Sequence, residues 1–156
     1  MKKSLPCENN EKTNAALRRH DMNHNVLIAW QPKYELGIRI IDEQHRGIVS
    51  IINSLYYGMQ NKHGEDMLAP IASIIYNYTR IHFNLEEEFL SVYGFPDIHA
   101  HRLLHTELIE ELSLIEKKCI AYHGAYDFMN FLKKWWIEHI CTEDMQFRKH
   151  FLTMVK

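Results

Sequence analysis

The sequence predicts an all-α protein, an antiparallel up-down-up-down four-helix bundle with an N-terminal arm. Four segments carry apolar residues at spacings of three and four, the repeat of a helix with one core-facing side. The connections between these segments are short, and short connections place consecutive helices antiparallel. The 156 residues include only 6 glycines and 4 prolines, so few tight turns interrupt the helices.

The N-terminal end of the chain is polar and lacks periodicity, so we predict that residues 1–29 form a flexible arm. Residues 30–156 are predicted to form one domain, long enough to bury roughly 70% of the surface that its unfolded chain exposes. His20 and His24 lie four residues apart in the arm, but no apolar face supports them, so we expect both to be solvated. The apolar stretches within 26–38 are predicted to form a strap across the end of the bundle.

The helices of the domain are predicted from the apolar repeat and from the capping and helix-breaking residues at its ends. The predicted helices are Ile41–Met59, Asp66–Val92, Asp97–Lys118 and a fourth through Phe128–Ile140, followed by an apolar tail that packs as a further turn or two. Asp42 is predicted to cap the first helix, since a carboxylate there accepts hydrogen bonds from free N–H groups. Gly94 and Pro96 are predicted to end the second helix, as a left-handed cap and a stop.

Histidine is unusually frequent, with 11 in the chain, and it is the commonest protein ligand for transition metals. Each helix places one or two potential metal ligands on its core-facing stripe. In chain order these are His45, then His82 and Glu86, then His101 and His105, then His139. One such pair alone favours a helical salt bridge or a core histidine bonded to its neighbour. Recurrence on successive helices favours a metal site, because buried imidazoles and carboxylates are costly unless a proton or a metal satisfies them. His63 and His99 fall off the stripes and are left outside the site.

Asp144 follows His139 by five residues, which turns an ideal helix by about 500° and leaves the two side chains roughly 140° apart. They converge only if the helix loosens between them, so we predict a wide turn or bulge there. With Asp144 the core-facing set holds five imidazoles and two carboxylates. One metal cannot use so many ligands, whereas two metals bridged by the carboxylates can, and this donor set favours iron or manganese.

The order and spacing of these residues resemble the hemerythrins, especially the single-domain bacterial members, over roughly Trp30 to Phe147. The stretches that carry the resemblance are Ile41-Asp42-Glu43-Gln44-His45, His82-Phe83 with Glu86-Glu87, His101 and His105 after Tyr93-Gly94-Phe95-Pro96, and Trp135 with His139-Ile140 and Asp144. Each motif alone is weak, but all seven positions in order are a strong signal. The resemblance implies a non-haem di-iron centre that reversibly binds dioxygen.

The resemblance also implies a role for each candidate ligand. His101, His105 and His139 would hold one iron, and His45 and His82 the other. Glu86 and Asp144 would bridge the two irons, together with an oxo or hydroxo group. The second iron then keeps one open position, where dioxygen would bind.

An apolar oxygen pocket is implied by position, although ordinary core packing explains the same residues: Ile48, Phe83, Trp136 and Ile140. Two positions depart from the family. Trp136 stands where the family usually has leucine, which implies a smaller pocket or a blocked gate. Phe147 stands where the family often has tyrosine, so one hydroxyl near the ligands is missing. We expect both changes to alter oxygen affinity and autoxidation while leaving the metal site intact.

Three functions remain open on the sequence: an oxygen carrier, store or sensor; a di-iron enzyme that reduces peroxide or nitric oxide; and a metal-free interaction module. The enzyme is disfavoured because no core-facing acid or base remains beyond the ligands, and Glu87 and Glu88 are predicted to turn away from the face of Glu86. The metal-free module leaves seven buried polar side chains unexplained. We therefore predict an oxygen-binding protein that is not primarily an enzyme, with a side oxidoreductase activity left open.

The expected partners are dioxygen and, if the protein delivers it, an oxygen-using enzyme. The formal net charge of −2 provides no basic field for nucleic acid, and no apolar run is long enough to span a membrane. The 3 cysteines form neither a CxxC pair nor a zinc-type spacing. Unpaired cysteines are typical of a reducing compartment, so we expect a cytoplasmic location.

Overall fold

The computed structural model describes residues 26–154, and within this range all regular structure is helical. The elements are a 3-10 turn (Pro32–Tyr34), α1 (Arg39–Gln60), α2 (Gly64–Val92), α3 (Ile98–Tyr122), α4 (Ala125–Trp135), a π-helical segment (Trp136–Glu143) and α5 (Met145–Met154). α1 packs on α2, α2 on α3, α3 on α4, and α4 back on α1, which closes the bundle and confirms the predicted fold. In the described range no helix is both long and apolar enough to cross a membrane.

The helices extend slightly beyond the predicted ends. α1 begins before Ile41, and α3 continues past Lys118 to Tyr122. The predicted end of α2 is confirmed. Gly94 has a φ of 65°, and the N–H of Phe95 donates to the carbonyl of Leu90 at 2.9 Å, which ties the turn back to the last carbonyls of the helix.

Asp42 does not cap α1, so that prediction was wrong. The N-cap position is Ile38, and Asp42 lies within the first turn. Its carboxylate accepts hydrogen bonds from the backbone N–H groups of Leu36 at 2.7 Å and Gly37 at 3.0 Å. The carboxylate therefore holds the segment that enters the helix and not the first N–H groups of the helix itself.

The strap runs beside α1 and not across the end of the bundle, which corrects the prediction. Asn53, in the second half of α1, bonds both backbone groups of Ile28, donating at 2.9 Å and accepting at 3.0 Å. The guanidinium of Arg46 lies 4.3 Å from the ring centre of Trp30 and 2.7 Å from Glu35 Oε1. Polar side chains along one side of α1 thus set the path of the strap, since an extended segment needs partners for its backbone.

Only the last residues of the predicted arm are described, and of these Leu27 and Ile28 pack on the core. His20, His24 and Cys7 lie outside the described residues, so the domain boundary at residue 30 stays a prediction. Cys119 is buried and Cys141 half-buried, and both are free thiols.

Two apolar clusters fill the bundle, with a polar layer between them. The larger cluster includes Ile48, Ile52, Leu55, Ile75, Phe128 and Leu132, and the smaller one consists of Leu36, Ile38, Ile41, Leu90, Phe95 and Phe147. On α1 the order is Ile41, His45, Ile48, so the imidazole separates the two clusters. Corresponding positions on the other helices place polar side chains in the same layer. Apolar packing above and below therefore encloses them.

Candidate metal centre

The structure brings all seven predicted side chains into the polar layer, and none is more than 6% exposed. Their nitrogen and oxygen atoms form two groups, within each of which the atoms lie no more than 4.8 Å apart. The first group is Glu86, His101, His105, His139 and Asp144, and the second is His45, His82, Glu86 and Asp144. Both carboxylates belong to both groups.

The first group joins α2, α3 and the end of the π-helical segment. His105 Nε2 lies 3.1 Å from His139 Nε2, and His101 Nε2 lies 2.8 Å from Glu86 Oε1. Asp144 Oδ1 approaches His139 Nε2 at 3.3 Å. All three imidazoles point Nε2 at one another and at carboxylate oxygens, an arrangement suited to a cation between them.

The second group joins α1 and α2 to the same two carboxylates. His45 Nε2 lies 3.2 Å from His82 Nε2. Glu86 Oε2 lies 3.5 Å from His82 Nε2, and Asp144 Oδ2 lies 3.3 Å from His45 Nε2. This group therefore has two imidazoles where the first has three.

Each carboxylate turns one oxygen toward each group. Glu86 presents Oε1 to His101 and Oε2 to His82. Asp144 presents Oδ1 to His139 and Oδ2 to His45. This is the geometry required of a carboxylate that bridges two cations, with one oxygen for each.

The π-helical segment brings Asp144 under His139, which confirms the predicted wide turn. The N–H of Asp144 donates to the carbonyl of His139 at 3.1 Å, a bond across five residues. The hydroxyl of Thr142 repeats the spacing by donating to the carbonyl of Ile137 at 2.9 Å. With the wider turn, two residues five positions apart share one side of the helix.

The site fits a pair of cations. Glu86 Oε2 and both Asp144 oxygens are buried and accept no hydrogen bond from any described residue. Two pairs of imidazole Nε2 atoms also face each other, although each pair has room for only one proton between its nitrogens. Buried lone pairs of this kind are costly, and a cation bound to each group would satisfy them. Imidazole and carboxylate donors without thiolate suit iron or manganese.

Burial keeps four of the imidazoles neutral and therefore able to bind metal. It lowers the pKa of His82, His105 and His139, and it lowers the pKa of His101 to about 4. The pKa values of the two carboxyl groups shift in opposite directions. Burial opposes ionisation of Asp144, but the surrounding imidazoles, chiefly His139, hold its pKa below the usual value. Burial and the charge of Asp144 together raise the pKa of Glu86.

We expect the metal-free protein to lose stability as the pH falls from about 6.5 toward 4, because the unfolded histidines protonate near about 6.5 while the folded ones stay neutral. The unfolded state then binds more protons, and each histidine contributes up to about 1.4 kcal/mol per pH unit. The raised pKa of Glu86 has the opposite effect on stability in acid, but it is one group against the four histidines whose pKa is lowered. Urea unfolding should show a lower midpoint at about pH 5.5 than at pH 7. An equal or higher midpoint in acid would contradict this expectation.

The sequence did not predict two polar residues whose side chains contact the Nδ1 atoms of candidate ligands, on the side away from the cation positions. Glu87 was predicted to turn away from the face of Glu86, and it does lie off that face, but its Oε1 lies 2.8 Å from His105 Nδ1 on the neighbouring helix, a contact that was not predicted. Gln44 Oε1 lies 3.0 Å from His82 Nδ1. Both residues adjoin a ligand in the chain and lie off its stripe, so their partners come from a neighbouring helix. Glu88 is exposed, as are His63 and His99, which agrees with the predictions for all three.

The four predicted pocket residues, Ile48, Phe83, Trp136 and Ile140, are all buried. Phe83 lies flat on His105, with ring centres 3.6 Å apart and an angle of 2° between the planes. The rings of Trp136 and His45 are nearly perpendicular, with centres 6.5 Å apart, on the side with two imidazoles. A lining of these residues around bound oxygen stays a prediction.

Phe147, the second departure from the family pattern, is fully buried and directs its ring at His101. The ring centres lie 4.7 Å apart at an angle of 83°. The position thus provides an apolar wall and no hydroxyl beside this imidazole.

Comparison with known proteins relates the chain to one family. The family model described as hemerythrin HHE cation binding domain matches residues 36–150. A bacteriohemerythrin of Clostridium acetobutylicum is 29% identical over 127 residues, which cover 78% of this chain and 98% of that protein. A bacteriohemerythrin of Pseudomonas aeruginosa is 30% identical over 118 residues, covering 75% and 76% respectively.

More distant matches, in sequence and in structure, are also to hemerythrins. A hemerythrin of Sipunculus nudus is 25% identical over 119 residues, covering 76% of this chain and 89% of that protein. A crystal structure of a mutant hemerythrin superposes with a TM-score of 0.68 at 21% identity, covering 80% of this chain and 96% of the other. At that identity the superposition supports the fold alone.

Proposed function

The chain belongs to the hemerythrin family, and from this premise we propose that it is a non-haem di-iron protein that binds dioxygen reversibly. The observation that carries the proposal is the convergence of seven buried side chains into two groups that share both carboxylates. A metal centre would satisfy the imidazole Nε2 atoms that face one another, together with Glu86 Oε2 and both Asp144 oxygens, which have no hydrogen-bond partner among residues 26–154.

In this proposal each group holds one iron. His101, His105 and His139 would hold the first, and His45 and His82 the second. Glu86 and Asp144, with an oxo or hydroxo group, would bridge them. When bound in the ferrous state, the pair would supply one electron from each ion, which is the chemistry that lets dioxygen be held reversibly. The group with two imidazoles has fewer protein donors, so dioxygen would bind on that side.

The protein's own contribution is enclosure and fixed geometry. Apolar side chains above and below the polar layer exclude water, and we propose that Ile48, Phe83, Trp136 and Ile140, all buried in the larger cluster, line the oxygen pocket. Keeping water and protons away slows the side reactions that would consume bound oxygen. The opposed Glu86 and Asp144 carboxylates supply negative charge between the two cation positions.

Binding is favoured over turnover because, among the residues that the structure describes, no free proton donor lies beside the centre. Outside the seven candidate ligands, the buried polar side chains of the described range are Asp42 and Thr79. Asp42 is occupied by two backbone N–H groups, and a threonine hydroxyl is too weak an acid to deliver protons. Glu87 is engaged with His105 and Arg102.

The proposal is tested by reducing the iron-loaded protein anaerobically and then admitting oxygen. A charge-transfer band that forms with oxygen and disappears under vacuum would support reversible binding. A band that decays irreversibly with peroxide turnover would instead support a di-iron enzyme. Protein that binds no iron at all would contradict both.

The choice of histidines is tested by a matched pair of substitutions on α3. His101→Ala is expected to lose iron, because it removes one of three imidazoles from the first group. His99→Ala is expected to keep iron at the wild-type level, because His99 is exposed. Iron per folded chain, measured by elemental analysis, decides between them. Iron loss in both variants would show that the assigned ligands are wrong.

Trp136 is expected to slow the entry of oxygen, since its ring lies beside His45 where the family usually has a smaller leucine. Trp136→Leu should raise the association rate about tenfold, as a barrier lower by about 1.4 kcal/mol would. Stopped-flow mixing with oxygen measures that rate. Ile137→Leu, at a 60% exposed neighbour, is the control. An unchanged rate for Trp136→Leu would exclude this ring as the barrier.

A further inference from the structure

The two halves of the centre differ in the groups that lie next to the Nδ1 atoms of their imidazoles, on the side away from the cation positions. We propose that Glu87 is a positioning residue that fixes the tautomer of His105 and makes it a stronger electron donor, so that the half with three imidazoles favours the more oxidised metal. The tautomer part stands on geometry alone, and the electronic part rests on the proposed di-iron function.

Two contacts of Glu87 and one of the His105 ring place the pair for this role. Glu87 Oε1 lies 2.8 Å from His105 Nδ1, and Glu87 Oε2 lies 3.4 Å from Arg102 Nε, so the guanidinium holds the carboxylate in position. Phe83 stacks flat on the other side of the imidazole at 3.6 Å. With the ring held in this way, Nδ1–H donates to Glu87 and the Nε2 lone pair is left for the metal.

The other imidazoles lack such a partner. His82 Nδ1 faces Gln44, a neutral amide. The Nδ1 atoms of His45 and His139 are buried without any hydrogen-bond partner in the described range. Among residues 26–154, His105 is therefore the one imidazole of the five whose Nδ1 lies within ion-pair distance of a carboxylate.

A carboxylate behind a metal-bound imidazole has a predictable effect. The charge-assisted hydrogen bond shifts electron density toward Nε2, which strengthens the bond to the metal. A negative charge at this position also stabilises the higher oxidation state of the metal it faces. Loss of the charge should therefore weaken metal binding and raise the reduction potential.

The first experiment uses metal-free protein. Nitrogen-15 chemical shifts of the His105 ring report its tautomer in the wild type, Glu87→Gln, Glu87→Leu and Glu88→Leu. We expect the Nδ1–H form in the wild type and in Glu87→Gln, because an amide oxygen can still accept the bond. Glu87→Leu should shift toward a mixture, and Glu88→Leu, at an exposed neighbour, should match the wild type.

The second experiment separates hydrogen bonding from charge. Co²⁺ affinity should fall about 10–100-fold in Glu87→Leu and less in Glu87→Gln. In iron-loaded protein, Glu87→Gln should favour the reduced state about tenfold more than the wild type, a rise of about 59 mV for one electron. Gln44→Glu, which gives His82 an anionic partner, should lower the potential.

The outcomes keep the two proposals apart. A wild type that binds no metal overturns the proposed function, while the tautomer measurement still decides the role of Glu87. A Glu87→Leu variant with wild-type nitrogen shifts and Co²⁺ affinity overturns the positioning role. A Glu87→Gln variant with an unchanged potential overturns the electronic role, even if the protein binds oxygen. Circular dichroism of each variant establishes that the bundle is folded.

Discussion

Glu86→Gln is expected to abolish the paired metal centre, with metal content falling from two ions per chain to one or none. Glu86 belongs to both ligand groups, with Oε1 at 2.8 Å from His101 Nε2 and Oε2 at 3.5 Å from His82 Nε2. An amide offers one oxygen and no charge, so it cannot bridge two cations. The paired negative charge is lost as well, which removes the strongest reason for two cations to lie side by side.

Metal per folded chain, measured by elemental analysis after loading with Fe²⁺, tests this expectation, and Glu88→Gln is the matched surface control. The metal-free variant should be at least as stable as the metal-free wild type. Burial raises the pKa of Glu86, so its charged form is disfavoured in the empty protein, and the neutral amide avoids that penalty. Loss of metal from Glu86→Gln would therefore not be caused by unfolding of the variant. Two tightly held ions in the variant would refute the bridging role.

Phe128→Ala is expected to lower the free energy of unfolding by about 3–5 kcal/mol, the largest stability change we predict. Phe128 is fully buried in the larger apolar cluster, where α4 closes the bundle against the other helices. Removing its ring loses the transfer free energy of the aromatic group and leaves a cavity that the rigid helices cannot fill. Since a domain of this size has about 5–15 kcal/mol in total, the loss threatens folding at physiological temperature.

Urea unfolding of metal-free protein at neutral pH measures this change without a contribution from bound ions. Tyr126→Ala removes a similar volume two residues earlier on α4, where the side chain is 72% exposed, and should change stability by less than about 0.5 kcal/mol. A loss below about 1 kcal/mol for Phe128→Ala would mean that this cluster repacks around the gap. Iron content of the folded fraction should be unchanged, since the substitution removes no candidate ligand.

The sequence predicted the candidate ligands because each lies on a core-facing stripe whose period is that of the α-helix. His45 lies between Ile41 and Ile48 at helical spacing, so its inward direction follows from its neighbours alone. Asp144 was predicted by the opposite observation. Its spacing from His139 does not fit an ideal helix, and burial of both therefore required the wide turn that the structure contains.

The errors and the missed contacts share one cause. Asp42 was interpreted as a cap, and Glu87 as a side chain turned away from the face of Glu86, each from the helix on which it lies. In the structure their partners are the strap and His105, which come from other parts of the chain. The strap was misplaced for the same reason, because its position depends on Asn53, and no local pattern indicates that contact.

By itself the sequence determined the four helices, the side of each that is buried, the seven polar side chains on those sides and the need for a break in the helix before Asp144. These properties depend on local periodicity and on the cost of burying polar groups, and both can be calculated along one helix at a time. Only the tertiary structure decided which oxygen faces which imidazole, which imidazoles have a partner behind them and where the strap runs. Those contacts join residues distant in the chain, and their distances depend on how the helices cross.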